Sequence, residues 1–211
     1  ATTPIVADST LSGIRSPSFA PDGRLVVAAE GHLFVRTLAG RWVQLTQGPG
    51  WDRDPVVARD GKTIVFASDQ GGNYDLYRLG LGPDGATGEP ERLTSTPDAE
   101  TMPTAASDGR IAFVRGFGGA ARVWIRGTDG TERRLTDREL PEIAPAFSPD
   151  GESVVCRAGD DLLRLSVTGG TAQRVDTVGA ASWVDGTRIV NLRSDTLWEV
   201  AVEGVTRRLI Y

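Results

Sequence analysis

The segment Pro145-Ala146-Phe147-Ser148-Pro149-Asp150-Gly151 constrains the fold of this chain most, because imperfect copies of it recur along the whole sequence. Three other copies end in Asp22-Gly23, Asp60-Gly61 and Asp108-Gly109, and a fifth copy, which lacks the proline, ends in Asp185-Gly186. Successive Asp-Gly pairs are 38, 48, 42 and 35 residues apart. This period is typical of a four-stranded β-propeller blade, and nothing between the copies has the spacing of an amphipathic helix. The sequence therefore predicts a repeat protein built from β-strands.

The copies divide the chain into an N-terminal segment and five repeats, each of which predicts four antiparallel strands, named a to d in chain order. The N-terminal segment is 1–16, and the repeats span 17–46, 54–94, 102–136, 144–175 and 180–210. The predicted fold class is all-β: a β-propeller of about five four-stranded antiparallel blades, or an excerpt of a six- or seven-bladed ring. A length of 211 residues suits one domain of this kind.

Two segments fit the repeat less well. Residues 3–6 match strand d and are predicted to form a closing strand that lies beside residues 206–210 or displaces them; the alternative is a remnant of a preceding blade. A closed ring is expected to be monomeric, whereas an open one would expose apolar blade faces and dimerise. In the second repeat, Pro83 and its neighbouring glycines predict an inserted loop, followed by strand d at residues 92–94.

Equivalent positions of strands b and c predict the hydrophobic core. Alternate residues of a strand share one face, and strand b carries two apolar positions at this spacing. The first set is Leu25, Ile64, Ile111, Val154 and Ile189, and the second is Val27, Phe66, Phe113, Cys156 and Asn191. One position of strand c holds Phe34, Tyr77, Trp124, Leu163 and Trp198. Asn191 is the polar exception, and burial would require its amide to find hydrogen-bond partners.

Composition restricts the classes of partner. The net charge is −5 and the isoelectric point is about 5.0, which argues against a nucleic-acid or anionic-membrane binder. No apolar run approaches the roughly 18 to 20 residues that a transmembrane helix needs. The single cysteine, Cys156, excludes an internal disulfide bond. We therefore expect neither nucleic-acid binding nor membrane insertion.

The repeat unit resembles the TolB-like, WD-repeat-related β-propeller repeat. The resemblance rests on the Pro-x-Phe-Ser-Pro-Asp-Gly segment, on the strands at residues 64–69 and 72–77, and on Arg92-Leu93-Thr94, and it covers residues 17–210. Such propellers are mostly protein-binding or substrate-gating modules of the Tol-Pal envelope system, tricorn-like proteases, prolyl-oligopeptidase relatives and some amidohydrolases. The resemblance implies a bacterial protein that is periplasmic or secreted. It carries over no catalytic residue, because the shared motif consists of turn and core positions.

The polar residues that could support catalysis or metal binding are few. The aspartates of the five Asp-Gly pairs are predicted to be structural, because side-chain hydrogen bonds and a positive glycine φ explain Asp-Gly at a tight turn. The single histidine, His32, lies in the first b–c link and is predicted to be a solvated or turn residue, since a metal site needs three or more converging ligands. We predict no metal and no cofactor. The pairs Asp52 with Asp54 and Asp160 with Asp161 are better placed to meet a ligand, although neither has the spacing of a calcium-binding loop.

Three catalytic or phosphate-binding motifs are incomplete. Gly61-Lys62-Thr63 looks like the end of a phosphate-binding loop, but Val56 stands where that loop needs glycine and a strand follows. The link Gly116-Phe117-Gly118-Gly119 has no helix N-terminus that could hold a phosphate, and it is predicted to be a mobile hairpin. The Gly-x-Ser-x-Gly elbow of serine hydrolases is absent from the sequence.

A binding surface is predicted where the b–c and d–a links of a propeller emerge on one face, around the mouth of the channel. Exposed aromatic residues combined with arginines are typical of recognition surfaces. The predicted members are Trp51, Asp52, Arg53, Asp54, Asn73, Tyr74, Arg115, Phe117, Arg122, Glu142, Arg157, Asp160, Asp161 and Arg193. Alternatively, Trp51 and Phe117 tuck into the loops themselves.

Two functions are compatible with the sequence. The first is a non-catalytic propeller that binds a protein or peptide on this face, because the structural repeats are complete while catalytic motifs are missing. The second is the propeller domain of a peptide- or sugar-processing enzyme, whose substrate would meet a carboxylate such as Asp54 or Asp160.

Overall fold

The structure is a computed structural model that describes residues 6–7, 11–136, 138–177, 180–193, 196–202 and 207–209. The chain divides into two compact units, residues 1–105 and 106–211. Regular structure in the described residues is β-strand except for a short 3-10 turn at Gly118–Ala120. No helix among them is long and apolar enough to cross a membrane.

Unit 1 contains two complete sheets and one further strand. The first sheet has the strand order β1-β5-β4-β3-β2, with bounds β1 Val6–Ala7, β2 Arg15–Phe19, β3 Leu25–Ala29, β4 His32–Arg36 and β5 Trp42–Gln44. The second sheet has the order β6-β7-β8-β9, with bounds β6 Asp52–Val57, β7 Thr63–Ser68, β8 Asp75–Gly82 and β9 Gly85–Arg92. The further strand is β10, Glu100–Ala105.

The remaining strands follow the same antiparallel pattern. The third sheet comprises β10 with β11 Ile111–Arg115, β12 Arg122–Arg126 and β13 Glu132–Arg134. The fourth comprises β14 Glu142–Phe147, β15 Ser153–Ala158, β16 Asp161–Ser166 and β17 Gln173–Thr177. The fifth comprises β18 Ala180–Trp183, β19 Arg188–Arg193, β20 Thr196–Ala201 and β21 Arg207–Leu209. Each repeat thus supplies one propeller blade, and the predicted all-β fold of five four-stranded antiparallel blades is confirmed.

The described part of the N-terminal strand pairs within the first blade. Val6 lies opposite Val43 and Ala7 lies opposite Trp42, so that β1 adds a fifth strand outside β5. Pairing with the last strand of the chain had been expected, and for Val6 this expectation is wrong. Residues 3–5 of the predicted closing strand lie outside the described residues.

The glycine-rich segment of the second repeat forms a hairpin where an inserted loop was predicted. Strand β8 continues to Gly82, and β9 starts at Gly85 and ends at Arg92, where the sequence had placed the beginning of strand d. Glycine permits this pairing because a side chain at Gly80 would collide with Thr87, whose backbone oxygen would lie 2.8 Å from the added carbon. The absence of a side chain at Gly80 therefore lets β8 and β9 approach closely enough to pair.

The Asp-Gly pairs form tight turns in which the aspartate caps the backbone. Asp150 accepts hydrogen bonds from the Ser148 hydroxyl and the Glu152 N–H, and these bonds lower the pKa of its carboxyl group. Gly151 has a φ of 76°, in the left-handed region that glycine reaches without strain. Equivalent bonds to the N–H two residues onward occur in the other copies, at Asp22, Asp60, Asp108 and Asp185. The structural role predicted for these aspartates is confirmed.

The core positions predicted in strand b are buried, but the predicted alternation is wrong, because the residues between them, such as Val26, Val65 and Val155, are buried as well. All ten strand b positions are buried except Leu25, which is half-buried. In strand c, Trp124 and Trp198 are half-buried, whereas the other three residues are buried. Asn191 is fully buried, and its amide nitrogen donates a hydrogen bond to the Asp176 carboxylate at 3.0 Å. The expected partner for this amide is therefore present.

The first strand of four blades contains a residue with positive φ directly before a proline. These residues are Ser16, Asp54, Met102 and Ala144, with φ angles of 48°, 51°, 51° and 52°. A residue before proline normally adopts an extended conformation, and residues other than glycine seldom adopt a positive φ. In β2, β6 and β14 the pairing register shifts at this place, as at a β-bulge. Because a bulge re-aims side chains, this position can present polar groups away from its own sheet.

Two phenylalanines of unit 2 provide a matched test of the assigned core. Phe113 is fully buried in β11, whereas 62% of Phe117 is exposed in the following link. Phe113→Ala should lower the free energy of unfolding by about 3 to 5 kcal/mol, because it leaves a cavity. Phe117→Ala should change it by less than about 0.5 kcal/mol. Urea denaturation followed by tryptophan fluorescence measures both, and equal losses would contradict the assigned core.

Candidate functional site

A buried carboxylate connects consecutive repeats in unit 2. Glu142 is fully buried, and its carboxylate accepts hydrogen bonds from the Thr136 hydroxyl and from the Val123 N–H. Its own N–H donates to the Ala121 carbonyl at 3.0 Å. Thr136 ends the Leu-Thr segment of one repeat, and Glu142 begins the first strand of the next. The threonine of this segment therefore serves to bind the buried acid.

Asp52 occupies the equivalent position in unit 1. It is buried, it hydrogen-bonds the hydroxyls of Ser68 and Thr46, and its N–H donates to the Gly31 carbonyl at 2.8 Å. Burial raises the pKa of the Asp52 carboxyl group, although the two hydroxyls and the nearby His32 oppose that shift. The side chain is thus part of the connection between the first two blades.

Glu100 forms the third connection of this kind. It is fully buried, accepts a hydrogen bond from the Thr96 hydroxyl and donates its N–H to the Tyr74 carbonyl at 2.7 Å. The prediction that Asp52 and Glu142 belong to an exposed surface is accordingly corrected, because both side chains are buried and hydrogen-bonded.

Two predicted surface arginines of unit 2 support neighbouring loops. The Arg115 guanidinium carbon lies 4.3 Å from the centre of the Trp124 ring, and Arg115 also forms an ion pair with Glu132. Arg122 donates hydrogen bonds to carbonyls of the β11–β12 link and of Glu139. Both guanidinium groups are mostly shielded from solvent. Their main role is therefore to hold loop conformations.

Asn73 and Tyr74 lie side by side in the b–c link of the second blade. The Asn73 amide nitrogen donates to the carbonyls of residues 96–98, at 3.0 to 3.3 Å. The Arg53 guanidinium lies over the Tyr74 ring, 5.4 Å from its centre. Asn73 thereby fixes the following d–a link, and Tyr74 provides an aromatic base for Arg53.

Asp54 joins the first strands of three repeats. Its carboxylate accepts hydrogen bonds from the Ser16 hydroxyl at 3.0 Å, from Arg53 Nε at 3.0 Å and from the Met102 N–H at 3.2 Å. Ser16, Asp54 and Met102 are three of the positive-φ residues that precede proline. The bulges thus bring equivalent positions of β2, β6 and β10 into contact through one carboxylate.

A cleft of about 300 Å³, here called the Trp51 cleft, opens beside Asp54 in unit 1. It is lined by residues 12–13, 15–16, 28–31 and 51–54. Trp51 packs against the Gly31 backbone, so closely that a side chain at Gly31 would lie 3.2 Å from the indole ring. Nevertheless 57% of Trp51 remains exposed. The ring therefore rests on the adjacent link and still presents one side to solvent, and its role in recognition stays a prediction.

The Trp51 cleft contains two residues that the sequence reasoning missed, Arg15 and Glu30. Arg15 is exposed and forms no side-chain hydrogen bond or ion pair with any described residue, whereas Glu30 accepts a hydrogen bond from Ser12. Arg15 could have been found by aligning the repeats, since Arg15 and Arg53 both stand two residues before the strand a proline. Glu30 has a positive φ of 53°, which no sequence pattern indicated.

The other predicted members lie in unit 2. Those that are exposed are Phe117, Arg157 and Asp160. Asp161 forms an ion pair with Arg174. Arg193 ends β19, and its side chain is outside the described part of the structure. That these residues form one surface with the Trp51 cleft stays a prediction.

His32 begins strand β4 and is not the solvated turn residue that was predicted. Its side chain is one-quarter exposed, and Nδ1 lies 3.9 Å from an Asp52 carboxylate oxygen. Within the described ranges, no group of three or more histidine, cysteine, aspartate or glutamate side chains is arranged to hold a metal ion. The lone thiol, Cys156, is buried, and burial raises its pKa well above the ordinary value. Neither side chain provides an exposed reactive centre in this structure.

Comparison with known sequences gives one family match and one curated relative. Residues 5–183 match the family model of the TolB beta propeller domain. An uncharacterized WD repeat-containing protein of Synechocystis sp. is 25% identical over 166 residues, which cover 74% of this chain and 45% of that protein. The chain therefore spans less than half the length of this relative.

Two solved structures illustrate the range of proteins with this fold. TolB from Acinetobacter baumannii matches with a TM-score of 0.70 and 18% identity, over 92% of this chain and 53% of that one. An oligogalacturonate lyase in complex with manganese matches with a TM-score of 0.69 and 14% identity, over 99% of this chain and 72% of that one. At these identities the similarity is one of fold.

Asp52 should make stability depend on pH in a defined direction. Its pKa is raised in the folded state above 3.8, so the folded protein binds a proton more tightly than the unfolded chain. Stability therefore falls as pH rises from about 4 through the folded pKa, and Asp52→Asn removes this dependence. Between about pH 4 and the folded pKa, the unfolding free energy of the wild type should therefore fall relative to that of Asp52→Asn. Urea denaturation at a series of pH values measures it, and a constant difference would contradict the assignment.

Proposed function

Because the chain belongs to the TolB β-propeller domain family, we propose that it is a non-catalytic binding or scaffold module that recognises a protein or peptide. The observation that carries this proposal is the Trp51 cleft, in which an exposed indole lies beside Arg15 and Arg53. Tryptophan and arginine are the side chains that most often dominate binding energy at protein interfaces. The family relationship supports the propeller fold as a scaffold, whereas the binding role is argued from the cleft.

The residues around the cleft are held in place before any partner arrives. Asp54 receives hydrogen bonds from three sides, and Arg53 lies between that carboxylate and the Tyr74 ring. The backbone before Asp54 is fixed by the buried Asp52. A binding group that is already ordered loses little conformational entropy on association, which favours affinity. Trp51 adds a large apolar surface with only two side-chain torsions.

The cleft suits a peptide segment with an apolar or aromatic side chain and a hydrogen-bonding or acidic neighbour. The exposed indole would contact the apolar group, and Arg15 would meet a carboxylate or a carbonyl oxygen. Glu30 and Asp54 lie on the same cleft and would disfavour a strongly acidic ligand. Phe117, Arg157 and Asp160 of unit 2, which the sequence assigned to the binding surface, are exposed as well.

An enzymatic role is the second candidate and is supported by the likeness to oligogalacturonate lyase in fold. Asp54, one of the carboxylates proposed for it, already accepts three hydrogen bonds and is poorly placed to abstract a proton. The other, Asp160, is exposed, and among the described residues it belongs to no group of three or more side chains that could hold a metal ion. The binding role is therefore preferred.

Peptide selection on the intact chain tests the binding role. Peptides enriched from a random library would be synthesised and titrated against wild type, Trp51→Ala and Phe19→Ala by fluorescence anisotropy. Trp51→Ala should weaken binding at least about tenfold, because it removes the main apolar contact. Phe19→Ala removes an equally prominent exposed side chain outside the Trp51 cleft and should leave affinity unchanged.

Two outcomes would contradict this function. If every enriched peptide bound Trp51→Ala as tightly as wild type, the cleft would not be the recognition site. If a screen with hydrolase and lyase substrates revealed turnover that Asp54→Asn abolished, the chain would be an enzyme. Circular dichroism of each variant confirms that the fold is retained.

A further inference from the structure

A second and larger cleft lies at the opposite end of the strands of unit 1. It has a volume of about 690 Å³ and is formed by the β2–β3, β4–β5, β6–β7 and β8–β9 turns. We call it the turn cleft. The six-residue strand β6 leads from the Trp51 cleft to the turn cleft and spans about 20 Å, so that one ligand group cannot occupy both.

The interior of the turn cleft is apolar. Val43 and Leu81 are buried at its base, and Pro21 and Pro83 stand in its walls. Leu38, in the β4–β5 turn, is 72% exposed, although it belongs to the same lining. Exposing a large aliphatic side chain beside a concave apolar surface is costly unless a ligand covers both. The shape therefore fits an aliphatic group.

Arg24 holds the two blades together beneath this cleft. Its guanidinium is nearly buried, pairs with Asp22 at 2.8 Å, and donates hydrogen bonds to the carbonyls of Gly61 and Gly82 in the second blade. The turns that form the walls are thus fixed relative to each other. This contact also uses the charge of Asp22, which is not available to a ligand.

Two cations of the turn cleft have no such partner. Arg41 and Lys62 are exposed, and neither forms an ion pair within 4 Å or a side-chain hydrogen bond with a described residue. The two aspartates nearby, Asp60 and Asp84, differ in their hydrogen bonds. Asp60 already accepts hydrogen bonds from the Lys62 and Thr63 N–H groups, whereas Asp84 accepts none from the described residues. With Asp22 paired to Arg24, the remaining charged groups of the lining are two positive, Arg41 and Lys62, and two negative, Asp60 and Asp84, of which only Asp60 has its carboxylate hydrogen-bonded within the described residues.

We propose that the turn cleft binds the C-terminal end of a peptide whose last residue is aliphatic. Such a residue carries both chemical features that the cleft complements: the aliphatic side chain would contact Leu38, Val43 and Leu81, and the α-carboxylate would meet Arg41 and Lys62. The resemblance of Gly61-Lys62-Thr63 to a phosphate-binding loop then has a different meaning. Lys62 is the only lysine in the sequence, and it lies in the β6–β7 turn. From there it would offer its charge to the carboxylate of the peptide.

Matched peptides test the proposal directly. A fluorescein-labelled hexapeptide ending in Val-Leu with a free carboxylate would be titrated against the full chain, beside the same peptide with a C-terminal amide and one ending in Val-Ser. The free-acid Val-Leu peptide should bind at least about tenfold more tightly than either, since each change removes one charge-assisted or apolar contact. Equal binding of acid and amide would overturn the proposal.

Variants give a pattern of opposite signs that a structural defect would not reproduce. Lys62→Gln and Arg41→Gln should each weaken binding several-fold, whereas Asp84→Asn should strengthen it by removing the opposing charge that has no hydrogen-bond partner among the described residues. Leu38→Ala should weaken it about tenfold. Trp51→Ala should leave it unchanged, so that failure here is separable from failure at the Trp51 cleft. If Asp84→Asn weakened binding, or if decanoate bound while the peptide did not, the assigned ligand would be wrong.

Discussion

The hydrogen bonds of a buried carboxylate determine how consecutive repeats of this protein fit together. Glu142 shows the arrangement most completely, since its carboxylate binds a threonine hydroxyl and a backbone N–H of the preceding repeat. A buried ionised group without such partners would destabilise the fold by several kcal/mol, so the threonine and the acid depend on each other. Asp52 and Glu100 repeat the arrangement in unit 1. The buried acids therefore add directional contacts between consecutive repeats to the packing of the aliphatic strands.

This constraint acts at one end of the strands and has consequences for both clefts. The links that carry Asp52 and Gly31 are joined by a backbone hydrogen bond, and the Trp51 ring rests on that junction. At the other end, Arg24 performs a related task through the carbonyls of Gly61 and Gly82. Both clefts are therefore supported by buried polar contacts.

The parts of the fold that the sequence predicted are those set by local chemistry. Aspartate and glycine at a turn act within two or three residues, and the spacing of apolar residues along strand b identified buried positions, although it missed that the residues between them are buried by neighbouring strands as well. Phe66 and Asn191 were thus placed correctly, together with the need of Asn191 for a partner. The hairpin at Gly80 was missed because glycine was taken as a loop signal, whereas here its small size permits close pairing with Thr87.

The candidate site was less predictable because burial decides the role of a polar residue, and burial arises from contacts distant in sequence. Asp52 and Asp54 are separated by one residue, yet the first is buried against the preceding blade while the second binds three neighbouring groups beside an open cleft. The positive φ at Asp54 produces this difference, and it occurs before a proline, where an extended conformation is the usual expectation. Its recurrence at Ser16, Met102 and Ala144 shows that the repeat as a whole maintains the unusual conformation. A costly conformation of this kind persists where the surrounding structure holds it, as the hydrogen bond between Ser16 and Asp54 does, and the Trp51 cleft lies where these two positions meet.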